Sequence, residues 1–334
     1  MNATTYQGRR PSSVLVLAVC GLAVTLTAGC DTSSADTTTN PAQPTVSTST
    51  ATTAGNGLIV FAAFDSNKKS DLWSVSPDGT GLTQLTQSPD ELDICPDISP
   101  DGNAVATCRN VDGTFEIWTS DIGGGNDRQL TDLGGWAIFP DWSPQGDQIV
   151  FAWAPTQDGL SSLYMADAKT GKATALLEED GYAHENPTFS PDGSTVLYTR
   201  RQSDDGQLWT IDVATGQTTQ LTTDDTHKDQ TPDWSPDGTR IAYNAITDGD
   251  DDIWIMNADG TDQRNLTAAA GAAEFGTAFS PDGQHIAFTG TGGPVPDGER
   301  YIQVIRTDGS DRRVLVPTPG LLQAVPAWQP QATP

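Results

Sequence analysis

The sequence is poor in positive charge. Its 17 lysine and arginine residues stand against 44 aspartate and glutamate residues, which gives a formal net charge of -27 at pH 7. Such an acidic surface repels a phosphate backbone, so we expect no binding to nucleic acid. The same acidity favours solubility outside the cell and cationic partners.

Histidine and the common catalytic motifs are also scarce. The three histidines, His184, His227 and His285, have no spacing typical of a metal cluster. There is no Gly-x-Ser-x-Gly motif, and the glycine run 123–125 lacks the lysine and helix of a phosphate-binding loop. We therefore predict no catalytic residue, no bound metal and no cofactor.

The chain has one apolar run near its start, from Val14 to Leu26, which is too short for a comfortable membrane span. Arg9 and Arg10 precede it, and Ala28-Gly29-Cys30 follows, as in a signal peptide. This stretch resembles the lipobox of bacterial lipoproteins. That resemblance implies cleavage before Cys30 and lipidation of its thiol, with two acyl chains holding the protein on the outer face of the cell membrane. The alternatives are an ordinary signal peptide with an incidental cysteine, or an uncleaved anchor.

Composition divides the chain into four parts. We expect a signal peptide at 1–29, a disordered tether rich in Thr, Ser and Pro at 30–57, a folded domain at 58–330 and a short tail at 331–334. The folded domain is repetitive, with a period of about 45 residues. Ser-Pro-Asp-Gly begins at Ser99, Ser190, Ser235 and Ser280, with a variant copy at Ser143. A second track with the same period consists of Trp73, Trp118, Tyr164, Trp209, Trp254 and Gln303.

Each repeat predicts four short strands, with the Pro-Asp-Gly sequence as a tight turn between the first two. Units of this length and content are typical of β-propeller blades. Residues 58–64 match a second strand and residues 326–328 match a first strand, so both ends of the domain should share one blade. The sequence therefore predicts an all-β, six-bladed propeller of four-stranded antiparallel blades.

The turn sequence Trp234-Ser235-Pro236-Asp237-Gly238 resembles the TolB-type, WD-like propeller repeat. The resemblance covers residues 58–330 and implies the fold but not the ligand. TolB also has an N-terminal α/β domain, for which residues 31–56 offer no room, so we expect the propeller alone.

Cys95 and Cys108 flank the Ser-Pro-Asp-Gly turn at 99–102. In a simple hairpin register they are direct neighbours across two strands, where a disulfide can form. Exported proteins meet oxidising conditions, so we predict this disulfide. A one-residue slip in register, or two buried thiols, is the alternative.

The loops that enter the first strands face one mouth of a propeller's channel. Each repeat also carries a proline three residues before the Ser of the turn, or before Gln329 in the last copy, called here the repeat proline: Pro96, Pro140, Pro187, Pro232 and Pro326, with Thr277 in its place once. Residues at or beside the position three before the repeat proline should converge there into a binding surface: Asp93, Trp136, His184, Asp229, Glu274 and Gln323. Carboxylates, a histidine and aromatic rings favour a cation or an amine. Ordinary solvated loops are the alternative interpretation.

Three functions remain open. The first is a monomeric, non-enzymatic scaffold that binds a protein, peptide or cell-envelope glycan at the channel mouth. The second is a lipoprotein that senses or captures a small ligand or cation. The third is a metal-assisted polysaccharide lyase or hydrolase, because some lyases use similar propellers.

Overall fold

The computed structural model describes residues 57–330 except 88–90, 204, 224–226, 248, 269–271, 293–294, 296–298 and 319. The expected signal peptide, Cys30, the tether before residue 57 and the tail at 331–334 lie outside the described residues. Within them every regular element is a β-strand, which confirms the all-β class. No helix of these residues is long and apolar enough to cross a membrane.

The strands follow the repeats closely. The first twelve are β1 (Ile59–Phe64), β2 (Ser70–Val75), β3 (Thr83–Gln84), β4 (Leu92–Ile98), β5 (Ala104–Val111), β6 (Thr114–Asp121), β7 (Arg128–Gln129), β8 (Trp136–Trp142), β9 (Gln148–Ala154), β10 (Ser162–Asp167), β11 (Ala173–Leu177) and β12 (Ala183–Phe189). The others are β13 (Thr195–Arg201), β14 (Gln207–Asp212), β15 (Thr218–Gln220), β16 (Lys228–Trp234), β17 (Arg240–Thr247), β18 (Asp250–Asn257), β19 (Arg264–Asn265), β20 (Glu274–Phe279), β21 (His285–Gly290), β22 (Tyr301–Arg306), β23 (Arg313–Val314) and β24 (Leu322–Trp328).

Antiparallel pairing dominates the sheets. β12–β15, β16–β19 and β20–β23 form three separate four-stranded sheets. The other twelve strands form one sheet, in which single parallel pairs, Ser70 with Leu92 and Phe115 with Trp136, join three antiparallel stretches. β24 pairs with β1, so the last strand of the domain lies beside the first.

The Ser-Pro-Asp-Gly turns are closed by side chains as well as by backbone. At the turn of residues 99–102, Gly102 donates its N–H to the Ser99 carbonyl at 2.8 Å and has a φ of 72°. The Ser99 hydroxyl donates to Asp101 at 2.6 Å and accepts the N–H of Ala104 at 2.9 Å. These bonds explain why Ser and Asp recur together, because each side chain satisfies a polar group that the tight turn leaves unpaired, while Gly recurs because it adopts the positive φ without strain.

The Leu-Thr sequence that ends most repeats has a similar local reason. The Thr86 hydroxyl accepts the N–H of Leu72 at 2.9 Å, and the Thr222 hydroxyl accepts the N–H of Leu208 at 2.9 Å. In both cases the fourth strand is too short to reach that N–H. The threonine therefore satisfies a buried donor of the third strand, which would be costly to leave unpaired.

Apolar side chains fill the spaces between neighbouring sheets. Val150 and Leu163 of the β8–β11 stretch pack in one cluster with Val196 and Ile211 of the next sheet. These side chains are almost fully buried, and each contributes about 1.5–3 kcal/mol by leaving water. A single sheet has no partner for both of its faces, so the repeats must stack to become stable.

The first strands of the repeats form the inner wall of the domain. β4, β8, β12, β16, β20 and β24 contact one another in that order, and β24 contacts β4. Five of them, β4 through β20, shift register against their hairpin partner just before Asp97, Asp141, Thr188, Asp233 and Ala278, and the pairing of β24 with β1 shifts between Ala324 and Ala327. Such a shift is a β-bulge, which bends the strand and re-aims its side chains.

Candidate binding cavity

One cavity of about 550 Å³ lies inside this ring of first strands. All six first strands line it, and most of the lining residues belong to the short segments that begin at the repeat proline or at Thr277. A concave site to which every repeat contributes is the usual place for a ligand in a closed repeat architecture.

The bulges give the cavity an unusual backbone. The residue before each repeat proline, or before Thr277, has a positive φ and lines the cavity: Cys95 (51°), Phe139 (57°), Asn186 (50°), Thr231 (41°), Gly276 (68°) and Val325 (47°). A β-branched residue such as Thr231 or Val325 is strained in this region. Strained backbone persists where the surrounding fold imposes it, and it is concentrated at functional sites.

Three carboxylates lie along the cavity wall at the residue after the repeat proline. Asp97 accepts the N–H of Trp142 at 2.8 Å, Asp141 that of Phe189 at 2.8 Å, and Asp233 that of Phe279 at 2.6 Å. Each carboxylate thereby joins its own first strand to the next one around the ring. The equivalent positions of the other strands are Thr188, Ala278 and Ala327.

The environment of these carboxylates favours their neutral form. Burial raises the pKa of Asp97 to about 7, against the opposing hydrogen bond from Trp142. Burial raises the pKa of Asp233 to about 7, and the charge of Asp97 adds to the rise. Burial also raises the pKa of Asp141 well above its usual range, and both Asp97 and Asp233 add to it. The three groups therefore act on one another electrostatically across the cavity.

The predicted binding residues lie elsewhere, between the sheets. Asp93 is 0% exposed and receives hydrogen bonds from Arg109 at 2.6 and 3.2 Å, while Arg109 also contacts Asp127 at 3.0 Å. Burial raises the pKa of Asp93, and the bonds from Arg109 oppose that rise. Glu274 is likewise 0% exposed and pairs with Arg312. Both carboxylates have a cationic partner within the protein.

The other predicted residues make comparable internal links. Gln323 is buried, accepts the N–H of Ile302 at 2.7 Å and donates to the Val316 carbonyl at 2.9 Å. Asp229 is also buried, and its N–H donates to the Gly206 carbonyl at 2.9 Å. Trp136 is partly exposed and packs on a phenylalanine of β6 with ring centroids 4.8 Å apart.

His184 is 0% exposed, and burial lowers its pKa. Its Nε2 lies 3.5 Å from the carboxylate of Glu179, which also binds Arg200. The ring therefore belongs to a small charged cluster at the edge of its sheet, and none of the six predicted residues lines the cavity. Among the described residues no set of three or more His, Cys, Asp and Glu is placed to hold a metal ion.

The predicted cysteine register is wrong by one residue. Cys108 lies opposite Ile94, because the bulge inserts Cys95 between the paired residues Ile94 and Asp97. The Cys108 thiol donates to the Ile94 carbonyl at 3.2 Å. Both side chains are buried thiols in this structure, and the Cys95 backbone turns into the cavity wall with a φ of 51°.

Sequence reasoning missed Asp97, Asp141 and Asp233 as a set. Their signal was present, since aspartate follows the repeat proline in three of the six repeats. In a regular strand, alternation indicates which side chains share a face, but the bulge before each aspartate shifts that alternation. The sequence pattern therefore does not indicate that these side chains face the axis.

Comparisons with known proteins agree with this architecture. The family model for the TolB beta propeller domain matches residues 56–332. The solved structure of TolB from Acinetobacter baumannii is similar, with a TM-score of 0.69 and 21% identity over 82% of this chain and 67% of that chain. A TolB-type structure from Agrobacterium tumefaciens has a TM-score of 0.63 and 19% identity over 83% of this chain and 100% of that one. At these identities the likeness concerns the fold.

The uncharacterized protein Atu1656 of Agrobacterium fabrum is 29% identical over 140 residues, which are 39% of this chain and 47% of the relative. The matched part thus spans about half of that relative's length. The family model, by contrast, extends over most of the present sequence, from the residues just before β1 to those just after β24. The chain therefore belongs to the TolB beta-propeller family.

Proposed function

We propose that this chain is a lipid-anchored, extracytoplasmic binding module whose central cavity holds a segment of a protein, peptide or cell-envelope glycan partner. It acts as a monomer and performs no chemistry on that partner. The observation that carries the proposal is the convergence of all six first strands, each with a left-handed residue, on one cavity.

The proposed architecture is a closed propeller of six four-stranded blades. The contact of β24 with β4 supports closure of the inner ring, and the pairing of β24 with β1 supports one blade shared by both ends of the domain. A closed ring leaves no open sheet edge between the first and the last blade, and its axial cavity is the concave surface on which a partner can dock.

A binding role is also consistent with the chemistry of the cavity lining. Proline and aromatic side chains dominate it, including Phe139, Trp142 and Trp234. Rigid rings of this kind offer large contact areas with little loss of side-chain entropy on binding. The membrane anchor would be the lipidated Cys30, which the tether at 30–57 would join to the propeller.

Site-specific photo-cross-linking in intact cells tests the docking site. A benzophenone amino acid replaces Phe139, an aromatic residue of the cavity wall, or Leu160, which is 54% exposed. We expect discrete cross-linked adducts from position 139 and none of the same mass from position 160. Identical adducts at both positions, or none at position 139, would contradict docking at the cavity.

The anchor is tested separately by cell fractionation. The Cys30→Ser variant should leave the membrane fraction, whereas the Cys95→Ser variant should stay in it. Retention of Cys30→Ser in the membrane fraction would contradict lipidation at that residue.

A further inference from the structure

The cavity wall carries uncompensated negative charge. Asp97, Asp141 and Asp233 line it, and none of the described residues that line it is lysine, arginine or histidine. Two buried carboxylates outside the cavity differ in this respect, since Asp93 has Arg109 and Glu274 has Arg312. A carboxylate shielded from water gains from a cationic partner, and the lining residues of the cavity supply none.

Asn186 gives a second, independent indication. It lines the cavity between β8 and β16, is 8% exposed, and its Oδ1 is buried without a hydrogen-bond donor among the described residues. A buried acceptor of this kind is uncommon in a folded protein and calls for a donor. Unpaired indole N–H groups are less informative, because they occur at the cavity in Trp142 and away from it in Trp118.

The arrangement of the acceptors selects the class of cation. The carboxylates belong to three different strands around the ring, and the described residues hold no group of three acidic, histidine or cysteine side chains close enough for a metal ion. A cation that satisfies separated acceptors must carry several N–H donors of its own. Ammonium and guanidinium groups do so, and their donors form strong charge-assisted bonds with carboxylates.

The remaining walls suit such a group as well. Phe139, Phe189 and Trp234 line the same cavity, and aromatic faces attract ammonium and guanidinium ions. The acidic chain, with its net charge of -27, raises the local concentration of any cation. The volume of about 550 Å³ is large enough for a side chain or a small organic amine.

We propose that the cavity binds a protonated amine or guanidinium through Asp97, Asp141, Asp233 and the amide oxygen of Asn186. This inference rests on the proposed binding function and names the chemistry that the site recognises. The cation can come from a lysine or arginine side chain of a partner, or from a free organic amine.

The test uses the full chain purified in detergent, with tryptophan fluorescence as the readout because Trp142, Trp234 and Trp328 line the cavity. Three probes are titrated: a blocked Gly-Lys-Gly peptide, spermidine and tetramethylammonium. The last has the same type of charge but no N–H donor. We expect the peptide or spermidine to bind at least tenfold more tightly than tetramethylammonium, since charge-assisted hydrogen bonds supply that difference.

Matched variants locate the binding. Asp97→Asn, Asp141→Asn and Asp233→Asn each keep an acceptor for the neighbouring backbone N–H, so the fold is retained, and each should weaken binding of the favoured amine roughly tenfold or more. Asp158→Asn removes the same charge from an exposed loop and should change affinity less than about twofold. Thermal unfolding of every variant verifies that it is folded.

The pH dependence gives another readout. The titratable groups that line the cavity are the three aspartates on β4, β8 and β16 and Cys95 on β4, while β12, β20 and β24 contribute none. Only the ionised carboxylates attract the ligand, so affinity should rise between about pH 6 and about pH 8, where an amine stays protonated.

Binding of either amine with the expected preference over tetramethylammonium supports the proposal. Binding of the lysine peptide alone assigns the cation to a partner side chain, and binding of spermidine alone assigns it to a free amine. Failure of both amines, equal binding of tetramethylammonium, or unaltered affinity of the asparagine variants would overturn the proposal. Adducts from position 139 together with any of those results would leave the binding function standing and refute only the amine chemistry.

Discussion

The carboxylate of Asp97 on β4 accepts the backbone N–H of Trp142 on β8 at 2.8 Å, and so joins two neighbouring first strands. The Asp97→Ala variant leaves this buried N–H without an acceptor and should lower the free energy of unfolding by about 1–3 kcal/mol. Asp97→Asn retains an acceptor oxygen and should remain within about 1 kcal/mol of the wild type. Urea unfolding at about pH 4, where the folded Asp97 carboxyl group is neutral like the amide, measures both, and equal losses for the two variants would refute the structural role of this bond.

The same carboxylates predict how stability depends on pH. Their pKa values in the folded chain, about 7 for Asp97 and Asp233, lie above the ordinary value of 3.8. The folded state therefore binds protons more tightly than the unfolded state, and this stabilisation is complete below the ordinary pKa and is lost as the pH rises through about 7.

A triple variant with asparagine at 97, 141 and 233 should therefore lose less stability than the wild type between about pH 5 and about pH 8. We expect a difference of roughly 1 kcal/mol or more, measured by denaturant unfolding across that range. Asp158→Asn serves as the control, because its exposed carboxylate should leave the wild-type profile unchanged. Parallel profiles for the triple variant and the wild type would contradict the raised pKa values.

The ion pair of Arg109 with Asp93 should be among the most sensitive positions of the fold. Arg109 is 4% exposed and Asp93 is fully buried, so Arg109→Met leaves a carboxylate buried without its cation. We expect a loss of about 3–5 kcal/mol in the free energy of unfolding. Arg313→Met is the matched control, since Arg313 and Asp311 are largely exposed and their pair should contribute less than about 1 kcal/mol. Similar losses in the two variants would count against this interpretation.

Substitutions at Asn186, whose backbone is left-handed, distinguish the effect of backbone strain on stability from the effect of the amide oxygen on ligand binding. With a φ of 50°, the position should tolerate glycine, and Asn186→Gly should change the free energy of unfolding by less than about 1 kcal/mol. Asn186→Val places a β-branched side chain there and should cost about 1–2 kcal/mol. Both variants remove the amide oxygen, so both should bind the amine probe more weakly. A valine variant as stable as the glycine variant would argue against the left-handed conformation.

Thiol chemistry tests the strand register around the turn at 99–102. A variant with serine at positions 20 and 30 keeps only Cys95 and Cys108, which are 3% and 0% exposed. Without reductant, we expect no rapid reaction with a thiol reagent in the native state and two equivalents after unfolding. Zero equivalents after unfolding would instead indicate a disulfide between them.

The sequence predicted the features that local chemistry determines. Ser99 and Asp101 recur because their side chains satisfy groups of the same tight turn, Gly102 recurs because its φ is positive, and the turn forms as expected. The phase of the repeats also placed residues 58–64 and 326–328 side by side, and the strands there are paired. The first inference depends on bonds between residues of one repeat, and the second depends on the order of strands within a repeat.

The candidate site could not be predicted in the same way, because it depends on the bulges. The left-handed positions hold Cys95, Phe139, Asn186, Thr231 and Val325, together with one glycine, and these side chains share no chemical property. The expectation that the loops entering the first strands face the channel therefore directed attention to the position of Asp93, which binds Arg109 and does not line the cavity. Packing of six strands around one axis, not local preference, selects the residues that face the cavity.

The pairing of β24 with β1 has a consequence for folding during synthesis, because the two strands are made at different times. Ile59 lies opposite Trp328, so a strand made early in translation cannot pair with its neighbour until about 270 more residues have been synthesised. Until the ribosome has passed Trp328, the edge of β1 is open to pairing with other chains. Nascent or prematurely terminated chains should therefore be the aggregation-prone species of this protein, and factors that shield β1 during synthesis should improve its yield.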